Sequence, residues 1–205
     1  MPRAASQSTQ QRRQQAIDTL LELASERPPS QIRTAQISER MGLSEAALFR
    51  HFPSKEHLWL ATLEDAIARA WQPVEHLLAM PALHDKPLEA LKDVLRSQFS
   101  INRTIPGLPT LIFHELQSRS PSPCRVVVIE HLERFRQCIE DLVRSAQERQ
   151  MLSHQATSEA LADTLLALMM GLLLQEQIRG TSPGHAENQL EDSLNQLLLP
   201  YCVPG

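Results

Sequence analysis

The chain predicts an all-α fold, on three observations. Only 6 of its 205 residues are glycine, while Leu, Ala, Gln and Glu, all good helix formers, are abundant. Apolar residues recur at three- and four-residue spacing along most of the chain. The 14 prolines fall between these stretches or at their first turns, where the missing N–H does no harm. With 42% hydrophobic residues there is enough apolar side chain to bury a core.

Residues 1–15 are polar and Gln-rich without apolar periodicity, and are expected to form a flexible arm. Arg3, Arg12 and Arg13 in this arm either reach phosphate or a minor groove, or stay solvated. The first helix starts at Ala16, with Ile17, Leu20, Leu21 and Leu23 on one face, and must stop before Pro28-Pro29. A short helix with Ile37 and Met41 opens at Thr34, the expected N-cap, and Gly42 ends it. Ser44 caps a second short helix holding Ala47, Leu48 and Phe52, and Pro53-Ser54 starts a third.

A long helix then runs from Lys55 toward Met80, where Pro73 should kink or break it. Further helices are expected near Lys86–Arg103, Thr110–Arg119 and Arg125–Gln150. The Val126–Ile129 run looks strand-like alone, but it continues at helical spacing into Leu132, Phe135 and Ile139. Ser158–Arg179 and Ala186–Leu199, with Gly180–Gly184 between them, complete nine helices without a sheet or an internal repeat.

Some classes are excluded quickly. The longest apolar run, Leu165–Leu174, falls short of the about 18 residues that span a membrane, so no membrane partner is expected. Met1–Gln15 has no hydrophobic centre and is not a secretory signal. Three widely spaced cysteines, Cys124, Cys138 and Cys202, suggest a reducing, cytoplasmic compartment. No Gly-rich phosphate loop, nucleophile motif or paired carboxylate suggests an enzyme, and no cofactor is expected.

The informative segment is Thr34–Lys55, TAQISERMGLSEAALFRHFPSK. Two short helices joined at Gly42, which supplies the positive φ of a tight turn, have the layout of a helix-turn-helix. Ala46 and Ala47 leave the second helix a slim leading edge, as entry into a major groove about 12 Å wide requires. Ser44 and the free N–H groups of that helix end are donors for a phosphate, with Arg50, His51 and Lys55 close by.

This segment resembles the DNA-binding domain of the TetR/AcrR family of transcriptional regulators. The likeness covers about Ala16–Ala66, with LFRHFPSKEHLWLATLE where that family keeps a [Y/F]-x-H-F-x-[S/N]-K signature. The resemblance implies an arm (1–15), a reading head (16–56) and a ligand-binding and dimerisation body (57–205). It implies a homodimer on a roughly palindromic operator, and an inducer of unknown identity that alters the separation of the heads. It implies backbone contact by Thr34, Ser44, Phe49, His51 and Lys55, and base contact by Glu45, Ala46 and Arg50, with Ala47 beside them. QIRTAQIS with SEAALFRHFPSK is also similar to the nucleoid-occlusion members, which bind chromosomal sites and block the division machinery.

Two departures stand out. Phe49 replaces the usual Tyr and loses one hydroxyl donor, a cost of about 1 kcal/mol. Arg33 stands where a capping hydroxyl is common, so the cap is assigned to Thr34.

Each feature also has a plainer reading. Glu45 accepts from a cytosine amino group or simply favours its helix N-terminus. Arg50 reads guanine, touches phosphate or joins a surface ion pair. Trp59, Leu63, Trp71, Phe99, Phe113, His114 and Phe135 line a ligand cavity or pack an ordinary core. His114, His131 and Cys138 lack tight metal-ligand spacing, so no metal site is expected. Leu161, Leu165, Leu168, Met169 and Leu172, with Leu194, Leu197 and Leu198, are the expected dimer interface.

The net charge of -4 argues at first against a nucleic-acid partner. It divides unevenly: residues 1–56 carry 8 Lys+Arg against 6 Asp+Glu, net +2, and the remainder 12 against 18, net -6. The positive part is the part with the helix-turn-helix.

Overall fold

The structure, a computed structural model, describes residues 8–118, 120–179 and 183–203. Among them stand ten α-helices: α1 (Thr9–Glu26), α2 (Thr34–Arg40), α3 (Glu45–Phe49), α4 (Lys55–Leu78), α5 (Pro81–His84), α6 (Pro87–Thr104), α7 (Gly107–Gln117), α8 (Pro123–Glu148), α9 (Ser158–Arg179) and α10 (Pro183–Leu198). Two 3-10 turns, Pro29–Gln31 and Leu199–Tyr201, and one antiparallel bridge between Leu152 and Cys202 complete the described elements. The fold is all-α, with an N-terminal helix-turn-helix. Arg3 and Gly180 lie outside the described residues.

Several boundaries correct the sequence expectation. Thr9–Gln15, expected in the flexible arm, form the first two turns of α1. Ser8 Oγ accepts from the Gln11 N–H and Gln11 Oε1 accepts from the Ser8 N–H, a reciprocal cap. Glutamine sustains a helix without adding apolar period, so the cap, not periodicity, marks its start.

Thr34 is the first helical residue of α2 rather than its cap; Arg33 holds the cap position. Pro73 neither breaks nor ends α4. Its ring is on the exposed side, while Ala70, Trp71 and Val74 are buried and hold the helix together. The helix α7 begins at Gly107 instead of Thr110, because Pro109 falls in its first turn, where no N–H is needed. The one-turn α5 is the tenth helix, too short for any periodicity to reveal.

The chain forms two compact units, Met1–Ala68 with Ile105–Ile129, and Arg69–Thr104 with Glu130–Gly205. In the first, Leu20, Ile32, Ile37, Leu48, Phe52, Leu58 and Leu111 are fully enclosed. Here α7 packs along α1, and Gly107 lies directly against the backbone of Leu21. In the second, α6, α9 and α10 pack on one another around Leu91, Leu95, Leu165 and Leu194.

Candidate nucleic-acid interface

The turn between α2 and α3 is fixed by local chemistry. Gly42 adopts φ +66°, where a side chain would be strained. The Leu43 N–H then donates to the Ser38 carbonyl at 2.8 Å. Ser44 caps α3, its Oγ accepting from the Ala47 N–H at 3.2 Å. The five residues of α3 are held from below: Ala47 and Leu48 are buried, and Phe52 just beyond is enclosed.

That inward face leaves Ser44, Glu45, Ala46, Phe49 and Arg50 exposed together on the other side. Phe49 is 40% exposed, a large apolar ring open to solvent on a helix otherwise small and polar at that surface. A second bond sets how the two short helices face each other: the Thr34 hydroxyl donates to Glu45 Oε1 at 2.6 Å, joining the first residue of α2 to the first of α3.

The cations of this unit divide into engaged and unengaged. Lys55, expected at phosphate, donates its Nζ to the Ile32 carbonyl at 2.8 Å and lies 4.5 Å from the centre of the Trp59 ring. Partial burial there pulls its pKa below the usual lysine range. Arg13 donates to the His51 carbonyl and stacks 4.4 Å over Phe52. Thus His51 is anchored through its backbone, while its Nδ1 is buried without a partner among the described residues.

Arg40 pairs with Glu26 at 2.7 Å, which holds the Glu26 carboxyl below the usual range, and Arg27 reaches the same carboxylate at 3.4 Å. Arg12 donates to Gln15. Arg33 and Arg50 are exposed, and neither guanidinium has a hydrogen bond or ion pair among the described residues. The roles of Arg13 and Lys55 as internal fasteners are not legible in the sequence, because a backbone carbonyl acceptor leaves no mark in composition.

The residues expected to line a cavity fall in both units. Trp59 and Leu63 are buried and Phe113 and His114 half-buried in the first. Trp71, Phe99 and Phe135 are buried in the second. There the Trp71 Nε1–H donates to His131 Nδ1 at 3.0 Å, Phe135 meets the indole edge-on, and the Arg134 guanidinium sits 3.8 Å over its face while paired with Glu75. Burial, helped by Arg134, pushes the pKa of His131 down to about 4.

No cluster of three or more His, Cys, Asp or Glu side chains fit to hold a metal exists among the described residues. The cysteines are free, and burial pushes the Cys124 and Cys138 thiols up to about 11, which keeps them protonated and inert.

Leu161, Leu165, Met169, Leu172, Leu194 and Leu198 are buried within the chain itself, and Leu168 and Leu197 are half-buried. Apolar residues surround α9 on all sides, and Ser158–Ile178 is long and apolar enough to cross a membrane by length and composition. One face packs into the second unit; the other shows Ala167, Gly171, Leu174 and Ile178, the last 74% exposed. A leucine count on such a helix cannot tell the two faces apart.

Comparison with known proteins agrees with the head. Residues 16–62 match the family described as bacterial regulatory proteins, tetR family. The chain is 31% identical to the nucleoid occlusion factor SlmA of Mannheimia succiniciproducens over 106 residues, 51% of this chain and 48% of that protein. It is 22% identical to SlmA of Haemophilus influenzae over 175 residues, 85% and 79% of the two chains. Among solved structures it is similar to a regulator from Saccharomonospora viridis in complex with choline, at TM-score 0.75 and 22% identity, over 89% of this chain and 95% of that one.

Proposed function

Since the chain belongs to the TetR family of DNA-binding bacterial regulators, we propose that it is a homodimeric repressor that a small molecule releases from its operator. The observation that carries the reading is the exposed edge of α3. Ser44, Glu45, Ala46 and Arg50 face outward while Ala47, Leu48 and Phe52 hold the helix down, which is what a groove-reading helix requires. Arg50, long, charged and unengaged, is the base reader, and Ser44 and the backbone of α3 meet phosphate.

The outward face of α9 supports pairing with a second copy. Ala167 and Gly171 allow another helix close, and a Cβ on Gly171 would meet nothing within 4 Å. Two heads related by a two-fold axis match two half-sites about one helical turn apart. Release by a ligand draws support from the similar regulator that holds choline. The reading places the protein on the nucleoid in the cytoplasm and gives it no catalytic step.

Selection of duplexes from a random pool with the purified protein tests this. The expected outcome is one preferred, two-fold symmetric site, bound in a salt-sensitive way, with preference at one base pair relaxed by Arg50→Ala at a cost of about 1–3 kcal/mol. Absence of salt-sensitive duplex binding overturns it.

The likeness to SlmA, which reaches 79% of the Haemophilus influenzae protein, favours a second reading, in which DNA binding serves to act on cell division. Chromatin immunoprecipitation separates the two. Many sites spread over the chromosome support the second, and one or two beside an operon support the first.

A further inference from the structure

From the charges left unengaged on the reading head, we infer that Arg33 is a phosphate-contacting residue for duplex DNA, built into the approach to α2. The inference rests on the DNA-binding reading above. Six other Lys and Arg side chains of residues 8–56 are described. Arg12, Arg13, Arg27, Arg40 and Lys55 each have an acceptor within the chain: Gln15, the His51 carbonyl, Glu26 for both Arg27 and Arg40, and the Ile32 carbonyl. That leaves Arg50, on α3, and Arg33.

Position 33 is fixed from both sides while its side chain stays free. The preceding residue, Ile32, is fully buried, with its carbonyl held by Lys55 Nζ. The following residue, Thr34, is tied to Glu45 at the start of α3. The backbone of Arg33 itself is satisfied: its N–H donates to Gln36 Oε1 at 2.8 Å, and its carbonyl accepts from the Gln36 N–H at 3.0 Å.

An exposed guanidinium with no internal partner, on a backbone that cannot drift, loses little freedom on meeting an anion. Its planar fork suits two oxygens of one phosphate. It directly precedes Thr34, whose hydroxyl is bonded to Glu45, so it stands beside the leading edge of α3 and reaches the backbone of the DNA that α3 enters. Lys55, with its ammonium occupied, positions the arginine through Ile32.

Salt titration of duplex binding by the full chain tests the inference. Arg33→Ala is expected to lower the slope of log Kobs against log salt by about 1.8, one phosphate for each of the two subunits, and to weaken preferred and unrelated duplexes by the same factor. Arg33→Lys keeps the slope. Arg40→Ala removes the same charge from a carboxylate-paired site and also keeps it. Thermal melts of Arg33→Ala are expected to coincide with those of the parent chain, because the exposed guanidinium has no hydrogen bond or ion pair among the described residues.

An unchanged slope in Arg33→Ala overturns the inference. So does an equal loss in Arg40→Ala, which would reduce the effect to net charge, and so does a loss confined to one base pair, which would make Arg33 a base reader. If the parent chain shows no salt-sensitive binding, the DNA-binding reading falls and this inference with it.

Discussion

The two units use charge in opposite ways. In the first, cations are fasteners: Lys55 grips a backbone carbonyl and a tryptophan face, Arg13 grips a carbonyl and a phenylalanine face, Arg40 pairs with Glu26, and among the described residues only the Arg33 and Arg50 guanidinium groups have no hydrogen bond or ion pair. In the second, Arg134 stacks on Trp71, but most of the arginines pair with carboxylates in surface ladders. Arg136 pairs with Glu133 and Glu140, Arg144 with Glu140 and Asp141, and Arg96 with Asp93 and Glu191. The first arrangement fixes a small surface and leaves it two unspent charges. The second ties its arginines to carboxylates and leaves an apolar helix face, on α9, as its most distinctive exposed feature. A surface built to meet DNA and one built to meet protein follow from the same residue types placed differently.

The sharpest way to break this contrast is through two glycines. A Cβ at Gly107 would stand 2.8 and 2.9 Å from the Leu21 carbonyl carbon and Cα, and closer still to its oxygen. The obstacle is backbone and cannot swing aside, so α7 must leave α1. Gly107→Ala is expected to cost about 3 kcal/mol, the upper end of ordinary overpacking. Gly171 on α9 faces open space, so Gly171→Ala should stabilise the chain by about 1 kcal/mol through helix propensity alone. Denaturant midpoints of the two variants at low protein concentration measure both. Equal effects would mean that the first unit is no more tightly joined than the second.

A second test uses pH and acts on the second unit alone. His131 is neutral when folded, with a pKa down at about 4, and takes up a proton near pH 6.5 when unfolded. Between those values the unfolded chain binds more protons. The stability from His131 is therefore whole above pH 6.5, falls as pH drops toward 4, and levels off below that. The loss should approach roughly 3 kcal/mol. His131→Gln keeps an acceptor for the Trp71 N–H but does not titrate, and should flatten the profile across this window. The chain has 2 tryptophans, Trp59 in the first unit and Trp71 in the second, so fluorescence of a Trp59→Phe variant reports the second.

What the sequence disclosed follows the range of the forces involved. The Gly42 turn and the Ser44 cap were legible because each is settled within four residues, by a positive φ and by one hydroxyl. Leu48 and Phe52 were legible as inward because α3 must bury one side. The Lys55–Ile32 and Arg13–His51 bonds join residues 23 and 38 positions apart through carbonyls that every residue carries, and no pattern announces them. The outward face of α9 was hidden for a different reason: an apolar helix carries no polar stripe to mark it.

The smallest expected effect concerns the bond that orients α3. Thr34→Val keeps the shape of the side chain and removes the hydroxyl that donates to Glu45. The bond is at the surface, so the change in folding stability should be small, about 0.5–1 kcal/mol. Its effect on DNA binding should be larger in proportion, because α3 is only five residues long and depends on such ties to hold its angle to α2. The matched change in the second unit is Arg144→Ala, which removes a charge from a ladder that presents nothing. Duplex affinity should fall in Thr34→Val and stay level in Arg144→Ala, while the two melting curves differ little. If Thr34→Val loses stability and affinity in step, the bond merely holds the fold; if affinity falls further, the first unit spends its polar contacts on presentation.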